Sequence, residues 1–353
     1  MILHLVEEEK FLSKAIQLFE DTFPGQNVFL VGTKEPKSNP ILPKGRTTQI
    51  IYQKTGTKAY KDAFVTYTGS AELLFFHNLY KTYKLELDTL IPHGKKLVFF
   101  LWGAELYGLC NKIDNLLPLT KKNYFGQLPF SVYLRKQVFA KYKRDYYWSK
   151  FKKLIKNKVN YTLTNITEDI SLLNTYAPNK AKKGWFTYFS VGEDWHLLHT
   201  SDVKNNILIG NSSSETNNHF DAFQLLENKN ISDRKLYIPL NYGDPRYREL
   251  VIADAEKSFG GQAEPLLDFM SLDAYYKIVQ SCSVLLMNHT RQQAFNTIML
   301  AIAAGCKVFL REENTILKCL IREGFWVYSI QNDFQSNTAV SYTHLTLPTT
   351  PYV

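Results

Sequence analysis

Two doubly wound α/β domains in tandem are what this sequence predicts, each an open, mainly parallel sheet. Short apolar runs recur along the chain, as buried parallel strands do. Stretches with apolar residues at helical spacing separate them, so strand and helix alternate. A length of 353 residues also exceeds what one ordinary core holds.

In the first series Ile2–Val6 reads as a strand. Glu9–Phe19, with Phe11, Leu12, Ala15, Ile16 and Phe19 on one stripe, reads as a helix ended by Pro24 and Gly25. Val28–Val31 is the next strand. Residues 32–48 read as a loop, and Gln49–Tyr52 and Ala63–Val65 as weaker apolar pieces. Leu73–Phe76 is a strand ending at His77, followed by helix-like sequence as far as Leu90. Residues 92–96 turn the chain into the apolar strand Leu97–Leu101, and Tyr161–Leu163 is one more. Residues 177–205, with Pro178, Gly184 and Gly192, hold the domain crossover.

The second series alternates the same way. Ile207–Ile209, Leu236–Pro239, Val284–Met287 and Lys307–Leu310 read as strands, and residues 264–270 as a short strand or turn. Residues 219–227, 245–258, 272–280, 292–304 and 316–322 read as helices. The division expected is 1–185, 186–338, and a tail, 339–353. That tail is Thr/Pro-rich, unlike the rest of the chain, and reads as non-native, with the second domain cut short. In such sheets ligands bind beyond the carboxyl ends of the strands, so two domains imply a cleft between them.

Composition is globular, with 45% hydrophobic and 21% charged residues. No C-x-x-C pair occurs, and Cys110, Cys282, Cys306 and Cys319 read as small buried hydrophobes of a reducing compartment. The apolar start meets Glu7–Glu9 at once and is too short for a signal peptide. No apolar run has the length of a spanning helix. The net charge of +9 is concentrated in 135–158, where Arg135, Lys136, Lys141, Lys143, Arg144, Lys150, Lys152, Lys153, Lys156 and Lys158 interleave with Phe139, Tyr142, Tyr146, Tyr147, Trp148 and Phe151. Cations with aromatics suit an anionic membrane surface. They equally suit a helix packing its aromatics on the core. No nucleic-acid motif accompanies them, and nucleic acid is not an expected partner.

Several strand ends carry candidate chemistry. After Ile207–Ile209 come Gly210, Asn211, Ser212, Ser213 and Ser214, then a helix start near His219. Small residues, amides, hydroxyls and a helix N-terminus suit a diphosphate. A capped helix without a ligand fits the same residues. After Leu236–Pro239, Asn241 and Tyr242 offer an amide and an aromatic face to a nucleobase. After Val284–Met287, Arg291 and Gln292 offer a guanidinium and an amide at a helix start, and bidentate guanidinium bonds suit phosphate. A surface Arg beside a capped helix is the plain alternative. In the first domain, Trp102, Gly103 and Glu105 follow a strand. Glu105 suits a general base toward a sugar hydroxyl and Trp102 a stacking face; an acidic first-turn residue with a core Trp is the alternative. His77 is a second base candidate, or a structural histidine. Neither G-x-G-x-x-G nor a P-loop occurs, nor any metal-ligand spacing. No cofactor or metal is expected, and leaving-group charge falls to Arg291, amides and hydroxyls.

Taken together, Trp102-Gly-Ala-Glu-Leu-Tyr107, Ile209-Gly-Asn-Ser-Ser213 with Asn217 and His219, Ile238-Pro-Leu-Asn-Tyr-Gly243 and Arg291-Gln-Gln293 resemble the bacterial TDP-N-acetylfucosamine:lipid II N-acetylfucosaminyltransferases, also called 4-alpha-L-fucosyltransferases. The similarity runs in order over residues 2–335. It implies a GT-B fold, two Rossmann-like domains facing a central cleft, with a TDP-sugar held by the second. It implies transfer of a 4-acetamido-fucose-type sugar to an undecaprenyl-diphosphate-linked saccharide, in surface-glycan assembly of the enterobacterial common antigen kind, at the cytoplasmic face of the inner membrane. Two positions depart from the family pattern: Ala294 stands where a glycine commonly follows Arg-Gln-Gln, and Glu7–Glu9 follow His4 where enterobacterial members have Gly-Ser-Asp.

The expectation is therefore a metal-independent, peripheral membrane glycosyltransferase. Asn211, Ser212, Ser213 and Arg291 hold the diphosphate, Gln292 adds to the donor site, Asn241 and Tyr242 lie near the nucleoside, and Trp102 and Gly103 are on the acceptor side. Glu105, or else His77, serves as base if transfer inverts the anomeric centre. The alternatives are a non-catalytic nucleotide-sugar-binding or membrane-peripheral partner protein, and a sugar-nucleotide epimerase of the same shape.

Overall fold

The computed structural model describes residues 1–9, 11–35, 48–126, 128–188, 205–227 and 229–334. Most of the 32–48 loop, most of the 177–205 crossover and the whole 339–353 tail lie outside the described residues. The chain divides into two compact units, Met1–Lys112 with Val138–Ser190, and Ile113–Gln137 with Val191–Val353.

The first unit is built on a seven-stranded parallel sheet: β1 (Ile2–Glu7), β2 (Asn27–Thr33), β3 (Gln49–Lys54), β4 (Leu73–Phe76), β5 (Lys96–Phe100), β6 (Tyr161–Thr164) and β7 (Lys182–Trp185), in the order β3-β2-β1-β4-β5-β6-β7. All residues of β1 and β2 are buried, which is why they read as unbroken apolar runs. The helix Leu12–Thr22 buries Leu12, Ala15 and Phe19 at helical spacing. Ala63–Val65 is no separate piece but the middle of a helix, Lys58–Ser70, capped by Thr57, whose side chain accepts from the Tyr60 amide. The stretch expected to be helical up to Leu90 holds only the short turns Thr82–Leu85 and Asp88–Leu90. The strand order reverses between β1 and β4, so this sheet's switch point lies where Glu7 and His77 leave their strands.

The second unit has a six-stranded parallel sheet: β8 (Asn206–Ile209), β9 (Leu236–Pro239), β10 (Ala263–Leu266), β11 (Cys282–Met287), β12 (Lys307–Leu310) and β13 (Tyr328–Ser329), in the order β10-β9-β8-β11-β12-β13. Its switch point falls between β8 and β11. The helix Pro245–Phe259 starts with Pro and is capped by Asp244, whose carboxylate accepts from the Arg246 and Tyr247 amides at 2.9 and 3.2 Å. The helix expected from Gln292 begins three residues later, at Phe295, because Ala294 is in the left-handed region at φ 60°.

Residues 113–137 do not go with the first unit, as a division at 185 had it. The helix Pro118–Gly126 packs on the second unit. Its first amides need acceptors, and the Asp221 carboxylate takes those of Leu119 and Thr120 at 3.1 and 2.8 Å. Asn218 Oδ1 takes that of Leu117 at 2.8 Å, and the Tyr124 hydroxyl donates to Asp244 at 2.5 Å. All four cysteines are buried thiols. No helix among the described residues is long and apolar enough to cross a membrane.

Candidate active site

In the second unit three loops, after β8, β9 and β11, meet at the carboxyl end of the sheet. Gly210 turns the first away from its strand at φ 68°, and a side chain there would strike Asn217 and His219. Asn211 is the hub. Its side-chain amide donates to the Tyr242 hydroxyl at 2.8 Å, and its carbonyl accepts from Gln293 Nε2 at 2.9 Å. Gln293 Oε1 accepts in turn from Arg291 Nε at 3.1 Å and Thr216 Oγ1 at 2.7 Å. Asn211, Tyr242 and Arg291 are thus brought together, with Gln293 as the link to Arg291. The β8 and β9 loops are also zipped directly. The Ser213 amide donates to the Tyr242 carbonyl at 2.8 Å and the Asp244 amide to the Ser213 carbonyl at 3.0 Å.

The small hydroxyls are differently employed from the expectation. Ser212 and Ser213 are buried. Ser212 Oγ accepts from Asn217 Nδ2 at 3.1 Å, and Ser213 Oγ donates to the Tyr242 carbonyl at 2.8 Å. The Asn211 amide goes to Asn217 Oδ1 at 2.8 Å. These groups build the turn. The helix starts at His219 as expected and runs to Leu226, with a short turn, Glu215–Asn217, before it.

Beneath the turn lies a neutral polar layer that sequence reasoning did not find. Asn217 Oδ1 also accepts from His289 Nε2 at 2.9 Å, and His219 Nδ1 lies 3.2 Å from the Tyr247 hydroxyl. Burial pushes both histidines down to about 3, so neither carries charge at neutral pH. Beside Asn211 a cavity of about 310 Å³ is lined by Pro239, Asn241, Tyr242, Leu266, Met270, Leu272, Tyr275 and Thr297.

In the first unit the expected acceptor-side residues cluster at the ends of β4 and β5. Glu105 is fully buried; Oε1 accepts from the Leu79 amide at 2.8 Å, and Oε2 meets no donor at bonding geometry among the described residues. Burial pushes its carboxyl up to about 7, against the pull of backbone amides and of buried Lys84. Lys84 itself pairs with Glu7 at 3.0 Å. Gly103 precedes the helix Ala104–Leu109 with φ 88°.

His77 lies within a buried chain of hydrogen bonds whose direction follows from one amide. Asn27 Nδ2 donates to Glu20, so its Oδ1 accepts from His4 Nε2 at 3.0 Å. His4 Nδ1 then accepts from His77 Nε2 at 2.9 Å, and His77 Nδ1 from the Tyr188 hydroxyl at 2.6 Å. Both ring nitrogens of His77 are occupied inside the protein, and burial holds the ring well below its ordinary pKa. The structure does not offer His77 to a substrate. Trp102 donates Nε1–H to the His77 carbonyl at 2.6 Å and stacks on Phe11 and Tyr188, with centroids 5.0 and 5.5 Å away, so its ring already has aromatic neighbours.

The basic segment divides its aromatics. On the helix Ala140–Asn157, Trp148, Phe151, Leu154 and Ile155 are buried. Val138, Phe139, Tyr142 and Tyr146 are exposed beside the exposed Lys141 and Lys143.

Two parallel-sheet α/β units, each with its polar loops at the carboxyl strand ends, are the architecture of the GT-B fold. Solved structures bear this out at the level of fold. HepE from Anabaena, crystallised with UDP, superposes with a TM-score of 0.59 at 10% identity, over 96% of this chain and 92% of its own. WaaG, a glycosyltransferase of lipopolysaccharide biosynthesis, gives 0.56 at 10% identity over 96% and 90%. Sucrose-phosphate synthase from Thermosynechococcus elongatus gives 0.55 at 10% identity over 88% and 81%. The chain belongs to the 4-alpha-L-fucosyltransferase family, glycosyl transferase group 56, whose profile matches residues 132–347.

Proposed function

We propose that this glycosyltransferase moves a 4-acetamido-fucose-type sugar from a TDP-sugar to an undecaprenyl-diphosphate-linked saccharide, in surface-glycan assembly at the cytoplasmic face of the inner membrane. The observation that carries the donor half is the junction of three loops, in which Gln293 ties Arg291 to Asn211 at the wall of a cavity of about 310 Å³. The guanidinium there meets the charge that develops on the leaving diphosphate. HepE, a fold neighbour, binds UDP-glucose at 9% identity, which agrees with a nucleotide-sugar donor.

For inverting transfer, Glu105 takes the proton of the acceptor hydroxyl while the anomeric carbon–diphosphate bond breaks. A carboxyl titrating near 7 is poised for that task. Its full burial favours a second role, anchoring the Leu79 loop. Glu105→Gln separates the two, since the amide oxygen still accepts from Leu79. Turnover falls about 100-fold or more for a base and stays near normal for an anchor. The exposed Phe139 and Tyr142, with Lys141 and Lys143, support docking on anionic lipid. Flotation with anionic liposomes should be lost when the anionic lipid is omitted, or when salt is raised.

The deciding experiment is mass spectrometry of products from a panel of nucleotide sugars and lipid-linked acceptors, with nucleotide release measured alongside. Release only with acceptor supports transfer. Release without acceptor points to epimerase or hydrolase chemistry, and binding without turnover to a partner protein.

A further inference from the structure

We propose that Lys84 is a positioning residue for Glu105: it ties the loop that holds this carboxylate to the end of β1 and sets a positive charge near it. This rests on the base reading above and adds to it a residue that the sequence motifs leave out. Lys84, in the short helix Thr82–Leu85, is fully buried, a state lysine reaches almost only when paired. Its Nζ donates to the Leu5 carbonyl at 3.1 Å, to Asn78 Oδ1 at 3.2 Å and to Glu7 Oε1 at 3.0 Å. All three atoms can only accept. A neutral amine has two N–H groups and an ammonium three, so three acceptors call for the charged form. Burial works against that charge, and the Glu7 carboxylate sustains it.

The three bonds span the switch point of the first sheet. Leu5 and Glu7 belong to β1, and Asn78 follows β4. The Leu5 carbonyl also accepts from the His77 amide at 3.1 Å. Next to Asn78 is Leu79, whose amide donates to Glu105 Oε1 at 2.8 Å. One ammonium thus fixes the segment 77–79 on which Glu105 leans. The Tyr83 hydroxyl also donates to Glu7 Oε1, and Gly32 of β2 leaves room for the group, since a Cβ there would lie 2.9 Å from Glu7 Oε2. A buried ion pair adds little stability over apolar packing of the same volume, so stability alone does not account for this one.

The other titratable groups around Glu105 do not replace Lys84. Tyr80 is a neutral phenol whose hydroxyl donates to Glu9. Glu7 and Glu9 are negative and act on Lys84. Lys81 lies at the surface, 3.9 Å from Glu9. His77 is held neutral, and on the helix of Glu105 itself Tyr107 donates to Asp169 at 2.8 Å. Burial raises Glu105 to about 7, and the Leu79 amide and Lys84 pull the other way.

The test compares Glu7→Gln with the double variant Glu7→Gln/Lys84→Met in the full chain. Lys84→Met alone would strand a buried Glu7 carboxylate; with Glu7 already neutral, the two proteins differ in the lysine alone. Carboxyl carbon NMR of glutamate-labelled protein reads Glu105, identified as the signal that Glu105→Gln removes. Glu105 should titrate about one pH unit higher in the double variant, the scale of losing one nearby opposite charge. The acid limb of kcat/KM, measured with the donor and acceptor that the product panel identifies, should move with it. The rate then falls about 5-fold at pH 7 and recovers by pH 9, whereas a merely structural lysine would lower it alike at every pH. The unmodified chain gives a second reading: the Lys84 side-chain nitrogen signal should shift with an inflection near pH 7 that Glu105→Gln abolishes. A Glu105 titration that does not move, or a lysine signal without that inflection, overturns the role of Lys84. A titration that moves while the rate keeps its limb overturns the base reading alone.

Discussion

Gly243→Ala tests the junction on which the donor site stands. Gly243 has φ 126°, and a Cβ there would lie 2.5 Å from the Ser213 carbonyl carbon and 2.7 Å from its oxygen. These are backbone atoms, so no rotamer change relieves the contact. The loops must part, and three hydrogen bonds are then at risk: Ser213 amide to Tyr242 carbonyl, Ser213 hydroxyl to the same carbonyl, and Asp244 amide to Ser213 carbonyl. Each is worth about 1 kcal/mol. The unfavourable backbone conformation costs about 1–3 kcal/mol more. The parted loops forfeit about 3 kcal/mol of hydrogen bonding and residual backbone strain adds at least about 1, so a total of about 4 kcal/mol is expected. For a unit of this size that lowers the melting temperature by about 8–16 °C. The assay is thermal unfolding followed by circular dichroism, with titration of UDP at a temperature where the variant is folded. Nucleotide binding should fall as well, since Tyr242 and Asn211 lose their common frame. A variant that melts with the wild type and binds UDP as tightly would refute the close apposition of these loops.

Ala294→Gly should stabilise the protein by up to about 1 kcal/mol, relief of a left-handed alanine less the entropy a glycine adds to the unfolded chain; a lower melting temperature would count against φ 60° at that position. Glu105 holds its proton more tightly when folded, titrating at about 7 against 4.5. Its contribution to stability is therefore complete below pH 4.5 and lost as pH rises to 7, by about 3 kcal/mol. Denaturant unfolding of Glu105→Gln across that range should lack this fall, and an unchanged slope would reject the assignment. His219 and His289 act in the opposite sense. Their folded pKa values of about 3 lie below 6.5, so stability is present above pH 6.5 and drains as pH falls. At pH 5 each should have cost the second unit about 2 kcal/mol, and a flat profile between pH 7 and 5 would show that the pair is not buried neutral. Arg291→Ala should weaken UDP binding about 10-fold or more, the scale of a charge-assisted bond to phosphate; calorimetry showing unchanged affinity would remove Arg291 from the site.

The central strands were legible because both their faces are covered, so Val28–Val31 and Val284–Met287 are continuous apolar text. β7 was not, because Lys182-Lys-Gly-Trp185 lies at a sheet edge and owes its extended form to pairing with β6. The helix Lys58–Ser70 showed weakly because its buried stripe is only Tyr60, Phe64 and Thr68, and its β-branched residues favour helix poorly. The three site loops could be located as polar breaks after strands. The division of labour inside them could not. Ser212 and Ser213 have the chemistry of ligand hydroxyls, and only the folded turn spends them on Asn217 and the Tyr242 carbonyl. Gln292 and Gln293 are alike in sequence, and the backbone decides which one turns to Asn211. The placement of residues 113–137 was illegible for a similar reason. The acceptors for that helix start, Asn218 and Asp221, come a hundred residues later in the chain.

That detour also constrains how the protein can be made. During synthesis the Pro118–Gly126 stretch leaves the ribosome long before Asp221 and Asp244, the carboxylates it is destined to join. It must wait, unsatisfied, while β6 and β7 are added to the sheet that preceded it. A gene cut once into two halves, or a chimera spliced at one junction in the crossover, would deliver a carboxyl-terminal piece missing one of its own helices.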